Sequence, residues 1–292
     1  MFTFVPVKRT GIISCLCKAS PPAGLFRAKA TPATTGTFRA MVAPALAALA
    51  ALTLALTSCA PAGVQQYKLE IVNEYPHDTE AYTQGLFFQD GKIQESTGVY
   101  GHSSFRKNVN LESGSCERKL DFESKYFIEG SCVLDGELFI LTWREAVVFV
   151  YDAATLEFKR AHRYPRQGWG LTTDGKQLIA SDGSSRLYFF DKQFKLLRKI
   201  EVTMDEKPVL YLNELEWIDG KIWANVYQED HIVIINPDNG KVEGIVDCRG
   251  LLPRSLRTRD TDVLNGIAYD GQRIFLTGKY WPRLYEIRLK EK

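Results

Sequence analysis

A phrase repeated five times constrains this chain more than any other feature. Each copy has a hydrogen-bonding or aromatic residue, four to six strand-like positions, Asp-Gly, and a second apolar run. The copies open at Gln84, Glu129, Trp169, Asn213 and Asn265, with spacings of 45, 40, 44 and 52 residues. Asp-Gly between two β-rich runs predicts a hairpin with a type I′ turn, because both central residues must take positive φ. Further strand-like runs follow at 105–111, 146–151, 186–190, 232–235 and 283–289. Four short strands per unit of this length predict an all-β, five-bladed β-propeller with four antiparallel strands per blade. The fifth unit reaches residue 292 after only three strands, so residues 67–72 (YKLEIV) are expected to supply the fourth and close the ring. Two β-sandwiches are the competing architecture, and the even spacing argues against them.

In such a ring the first strand of each blade lines the central channel and the second returns antiparallel. Strand-one starts and strand-two ends therefore emerge at one mouth, while the Asp-Gly turns point the other way. That rule places Gln84, Glu129, Trp169, Asn213 and Asn265 at the mouth. Strand-two ends add Ser96, Thr97, Trp143, Ser181, Asp182, Trp223, Asn225 and Lys279. Polar residues there can simply satisfy backbone groups at a channel rim. Three of only five tryptophans converging with one Glu and one Lys read instead as a small-ligand pocket with aromatic walls.

Charge divides the chain in two. Its net +2 offers too little basic field for a dedicated nucleic-acid binder. Residues 1–58 hold six basic residues and no acidic one, which leaves −4 for residues 59–292. Within this leader, residues 41–56 form an apolar run short of the roughly 20 residues that a membrane-spanning helix needs. A short apolar run followed by small residues predicts an export signal. Leu56-Thr57-Ser58-Cys59 also resembles a bacterial lipobox, which makes Cys59 a candidate lipidation site. Residues 1–40 match either a transit-like peptide, with a plastid or eukaryotic secretory destination, or an extension ahead of a start near Met41. The expected organisation is a leader over 1–58, a linker over 59–66 and one catalytic domain over 67–292. The mature protein is expected to be exported and monomeric, touching a membrane only through a lipid on Cys59.

At the mouth residues the sequence resembles the plant and bacterial glutaminyl-peptide cyclotransferases, or glutamine cyclotransferases. The likeness runs from about Tyr67 to Lys292. It includes Tyr82-Thr83-Gln84-Gly85-Leu86, Leu141-Thr142-Trp143, Gly168-Trp169-Gly170-Leu171-Thr172, Leu212-Asn213-Glu214-Leu215-Glu216 and Leu276-Thr277-Gly278-Lys279. The resemblance implies a five-bladed propeller that converts the N-terminal Gln of peptides and proteins to pyroglutamate, releasing ammonia. It implies Glu129 as the catalytic acid/base, Gln84, Asn213 and Lys279 as polar pocket positions, and Trp143, Trp169 and Trp223 as the aromatic wall. Two departures stand out. Tyr82 replaces a usual Phe, and Ser131-Cys132 follow Glu129-Gly130 where Leu-Thr is expected, so packing under Glu129 is expected to differ.

The implied reaction is an intramolecular aminolysis in which positioning and proton transfer do most of the work. No cofactor and no metal are expected. His77, His102, His162 and His231 show no paired spacing and read as surface or loop residues. Cys116, Cys132 and Cys248 leave an odd number in the domain, with no pairing indicated. Arg254, Arg257 and Arg259 alternate with acids as a solvated loop does. The competing functions are an exported, non-enzymatic propeller that binds a partner, and a metal-dependent lactone hydrolase built on Glu129, Asn213 and Asp182.

Overall fold

The computed structural model describes residues 63–291. The leader, Cys59 and the start of the linker lie outside the described residues. β1 (Gln65–Pro76) opens the described chain, and antiparallel quartets follow it. The first is β2 (Thr83–Gln89), β3 (Lys92–Thr97), β4 (Ser104–Val109) and β5 (Cys116–Asp121). The second is β6 (Ile128–Leu134), β7 (Glu137–Thr142), β8 (Val147–Asp152) and β9 (Phe158–Arg163). The third is β10 (Leu171–Thr173), β11 (Leu178–Ser181), β12 (Arg186–Phe190) and β13 (Leu196–Glu201). A small hairpin, β14 (Thr203–Met204) and β15 (Lys207–Pro208), precedes the fourth. That quartet is β16 (Leu212–Ile218), β17 (Lys221–Val226), β18 (His231–Ile235) and β19 (Val242–Asp247). The last three strands are β20 (Leu264–Tyr269), β21 (Ile274–Gly278) and β22 (Arg283–Glu291). β1 completes them by pairing antiparallel with β22, from Tyr67↔Glu291 to Pro76↔Arg283. It also pairs in parallel with β19, so the last two quartets share one eight-stranded sheet.

The first strands of successive quartets pack side by side: β2 on β6, β6 on β10, β10 on β16, β16 on β20, and β20 on β2 again. Period-two alternation fills the wedges between quartets. On β11, Leu178 and Ala180 join the second and third quartets, while Ile179 faces the other way into the wedge with the fourth. Close approach at the centre needs glycine. A Cβ on Gly130 would collide with the Trp169 and Leu171 backbones, and one on Gly170 with the Asn213 carbonyl. Gly130 N donates instead to Trp169 O at 2.7 Å, which ties the second quartet to the third.

Three of the five Asp-Gly turns have the predicted geometry, with positive φ at Asp90/Gly91, Asp135/Gly136 and Asp219/Gly220. The other two differ. Thr173↔Leu178 and Tyr269↔Ile274 enclose four loop residues rather than two. There the Asp carboxylate organises the loop: Asp174 Oδ1 accepts from Lys176 N and Gln177 N, and Asp270 Oδ1 from Gln272 N and Arg273 N.

His77 lies in a loop, as expected of a surface or loop residue, but its side chain is turned inward. Its side chain is 4% exposed, with Nδ1 2.7 Å from Trp281 O and Nε2 3.0 Å from Glu95 Oε1. Thr83 Oγ1 donates to the same Glu95 oxygen at 2.7 Å, and Arg106 reaches Glu95 at 3.8 Å and Asp78 at 2.6 Å. This buried latch joins the segment after β1 to the first and last quartets. Cys116, Cys132 and Cys248 are free thiols, the last two buried.

Candidate active site

The side chains at the strand-one starts are aimed by β-bulges. Pairing of the first two strands slips between Thr83 and Gly85, Ile128 and Ser131, Leu212 and Leu215, and Leu264 and Ile267. The slips fall at Gln84, Glu129, Asn213 and Asn265. A bulge re-aims its side chain away from the regular alternation, here toward the end of the sheet. Hydroxyls and amides from neighbouring quartets fix these bulges. Ser131 donates to Ser96, whose hydroxyl donates to Glu129 O at 2.7 Å. Ser131 thus takes part in the hydrogen-bond chain that supports the Glu129 carbonyl. Ser181 supports Asn213 O in the same way at 2.7 Å, and Asn265 Nδ2 donates to Thr83 O at 2.8 Å.

Gln84, Glu129, Trp143, Trp169, Asn213 and Lys279 converge on one cavity of about 210 Å³, together with Tyr82, Phe127 and Tyr227. Trp223, expected in the aromatic wall, is not among them. It is 5% exposed and packs between the fourth and fifth quartets with Ile218, Ile234, Leu264 and Ile267. Trp223 lies mid-strand in β17, opposite Glu216 and Ile234, so its side chain faces a sheet surface rather than the strand end. The aromatic residue that emerges at that mouth is Tyr227.

A constant interval would have identified it. Backbone amides of Gly98, Trp143, Tyr227 and Lys279 donate to the carbonyls of Tyr82, Phe127, Tyr211 and Val263 at 2.9–3.0 Å. Each pair is sixteen residues apart, whatever the spacing of the repeats. Counting back two from each strand-one start finds Tyr82 and Phe127, and adding sixteen finds Trp143, Tyr227 and Lys279. The remaining mouth candidates, Ser96, Thr97, Ser181, Asn225 and Asn265, are buried supports, and Asp182 binds Ser184 in its own loop.

The cavity contains two ionisable groups that the fold leaves unmatched. Glu129 is 5% exposed and Lys279 3%, and neither the carboxyl nor the ammonium has a hydrogen-bond or ion-pair partner among the described residues. Burial pushes the Glu129 carboxyl well above the usual carboxylate range; Lys279 opposes the shift and Glu145 adds to it. Burial likewise pushes Lys279 down to about 8, against the pull of Glu129 and Asp262. Desolvation, which disfavours the charged form of each, outweighs their mutual attraction. The Lys279 ammonium stands 4.4 Å from the Tyr82 ring centre and 5.4 Å from that of Tyr227, within cation–π range of both. Tyr82 OH donates to Asp262 at 3.1 Å. On the opposite wall, Trp143 tilts against Phe127, and Trp169 meets Tyr227 edge-on at 5.6 Å. An apolar-walled cavity with a carboxyl of raised proton affinity, a lysine and two amides can hold a flat carboxamide and move a proton across it. No group of three or more His, Cys, Asp or Glu is placed to hold a metal ion among the described residues.

Comparison with known proteins agrees with this chemistry. A family model described as glutamine cyclotransferase matches residues 43–289. A glutaminyl-peptide cyclotransferase of Arabidopsis thaliana is 44% identical over 231 residues, covering 77% of this chain and 72% of that protein. The crystal structure of Myxococcus xanthus glutaminyl cyclase matches with a TM-score of 0.73 and 35% identity, over 78% of this chain and 99% of that one.

Proposed function

The chain belongs to the glutamine cyclotransferase family, and from that premise we propose that it converts the N-terminal Gln of peptides to pyroglutamate with release of ammonia. One observation carries the chemistry: a buried carboxyl without a side-chain partner, Glu129, shares with Lys279 a cavity lined by Trp143 and Trp169. The α-amine of the substrate attacks its own γ-carboxamide carbon, so the enzyme's task is to hold the reactive rotamer. Glu129 takes the proton from the attacking amine and delivers it to the departing nitrogen, which leaves as ammonia. A raised proton affinity suits both halves, because it strengthens the carboxylate as a base and retains the proton until the leaving group takes it. Lys279 and the amides of Gln84 and Asn213 stabilise the oxyanion of the tetrahedral intermediate. Incubating the purified protein with a Gln-initiated peptide should show loss of ammonia by mass spectrometry. Absence of conversion by folded protein would overturn the assignment.

We infer further that the five quartets are the blades of a five-bladed β-propeller spanning residues 67–292. Support comes from the five first strands, which pack in cyclic order and return to the start. A crystal structure would check the blade count. Export, with lipid attachment at Cys59, and a monomeric enzyme complete the proposal. β1 begins beside the end of β22, at the end of the sheet away from the mouth. Lipid labelling of the native protein tests the anchor.

A further inference from the structure

Gln167 joins the two tryptophans of the wall. Its Oε1 accepts from Trp143 Nε1 at 2.9 Å and from Trp169 Nε1 at 3.3 Å. Indole nitrogens only donate, so both must meet the carbonyl oxygen of Gln167 and the orientation of its amide is determined. Nε2 then points its two N–H donors elsewhere, and among the described residues it has no partner. Gln167 is exposed, two residues before Trp169, at the chain position where Tyr82 and Phe127 stand in the first two repeats. It is therefore a rim residue whose donor is held ready by two indoles.

We propose that Gln167 anchors the first peptide carbonyl of the substrate through its Nε2, while its Oε1 keeps Trp143 and Trp169 in register. The inference rests on the cyclisation proposed above. If the α-amine and the γ-carboxamide both face Glu129 in the cavity, the next polar group outward is the carbonyl on the same Cα. That group is an acceptor, and it crosses the rim where the oriented donor stands. Such an anchor would act on every Gln-initiated peptide regardless of its second residue, because it reads backbone. It would also help fix the rotamer from which the amine attacks.

The test compares a Gln-Phe dipeptide amide with its analogue in which the first peptide carbonyl is a thiocarbonyl, a much weaker acceptor. In the wild type, kcat/KM should fall about tenfold on this replacement, the factor a single neutral hydrogen bond can contribute. Gln167→Glu keeps oxygens for both indoles but loses the donor, and Gln167→Leu loses both. In each variant the oxo-to-thioxo ratio should shrink to about one to two, since a substrate change and a residue change that delete the same bond are not additive. Arg144, stacked 3.7 Å from the Trp143 ring centre, is the rival donor. Arg144→Met should leave the tenfold ratio intact. A ratio that stays near tenfold in both Gln167 variants, or that collapses only in Arg144→Met, would overturn the anchor while leaving the cyclase assignment standing. No turnover of either substrate by folded wild type would overturn both.

Discussion

The molecule buries two sets of charges and treats them in opposite ways. In the latch, burial works against the charge on His77, but the Glu95 carboxylate and the Trp281 carbonyl outweigh it and hold its pKa above the usual value. Burial also opposes ionisation of Glu95, yet His77, Arg106 and Thr83 together hold its pKa low. In the pocket, Glu129 and Lys279 are as deeply buried, but among the described residues no hydrogen bond reaches the carboxyl or the ammonium, and desolvation wins for both. The difference lies in geometry rather than in charge. Partners at 2.7–3.0 Å compensate the latch, whereas the pocket keeps its capacity for hydrogen bonding unspent until a substrate arrives. The former suits a structural joint, the latter a reaction site.

The largest test of that contrast is Glu129→Gln. It should lower kcat/KM by roughly 10²–10⁴-fold, the scale of a lost proton shuttle. Its melting temperature should stay the same or rise, because no partner is orphaned. A Glu129→Gln protein that keeps full activity would remove Glu129 from its role, and one that unfolds would make the pocket a second latch.

Glu95→Gln should behave inversely. It leaves His77 buried without its counter-charge and Arg106 with Asp78 alone, and breaking a buried pair costs about 3–5 kcal/mol. Activity per folded molecule should change little. The pH dependence carries the same signature. Glu95 has a depressed folded pKa, so its contribution is present above the ordinary value of 4.5 and is lost as pH falls through the folded one. His77 has a raised folded pKa, so its contribution is complete below 6.5 and is lost as pH climbs through the folded one. The stability difference between wild type and Glu95→Gln, measured by urea unfolding across pH, should therefore form a plateau that falls on both sides. A flat difference would mean that the latch holds neutral groups.

Lys279→Met comes next, with a loss of about 10²-fold in kcat/KM if the ammonium supports the oxyanion. Lys279 has a folded pKa lowered from 10.5 to about 8, so its burial destabilises the fold at neutral pH and the penalty fades as pH rises from 8 to 10.5. The variant should accordingly melt higher than wild type at pH 7, and a limb of the pH–rate profile near 8 should vanish. A lower melting temperature would show that the cation–π contacts with Tyr82 and Tyr227 outweigh desolvation.

The pocket was more legible in the sequence than the latch, and the reason is periodicity. Glu129, Gln84, Asn213 and Trp169 occupy the same place in every repeat, so the strand-one rule found them without coordinates. Strand-two ends were less secure, because Asp174-Gly175 and Asp270-Gly271 open four-residue loops and counting from the turn drifts. Trp223 was misplaced for another reason: it stands only three residues beyond the regular Asp219-Gly220 turn, mid-strand in β17 rather than at its end. Counting from the backbone pair sixteen residues apart removes the drift and selects Tyr227. His77 lies ahead of the first repeat and Glu95 and Arg106 within it, 18 and 11 residues apart in sequence, with no counterpart in the recurring phrase. The pairing of β3 with β4 sets Glu95 opposite Arg106, and the pairing of β1 with β22, which brings Trp281 to His77, adds the third member.

The smallest effect lies where the two regions touch. Tyr82 and Thr83 are neighbours at the start of β2, and successive side chains on a strand face opposite ways. Tyr82 accordingly turns into the pocket beneath Lys279, and Thr83 into the latch at Glu95. Tyr82→Phe keeps the ring and deletes only the hydroxyl bond to Asp262, a loss of about 0.5–1.5 kcal/mol. If pocket and latch are independent, that change should shift kcat/KM only a few-fold and leave the pH plateau of the latch where it was. A displaced plateau would mean that strain in the pocket is transmitted through one peptide bond to the joint, and that the two charge sets are one coupled device. Additivity of Tyr82→Phe with Glu95→Gln in a double-mutant cycle decides between these outcomes, because residues without shared partners add to within about 0.5 kcal/mol.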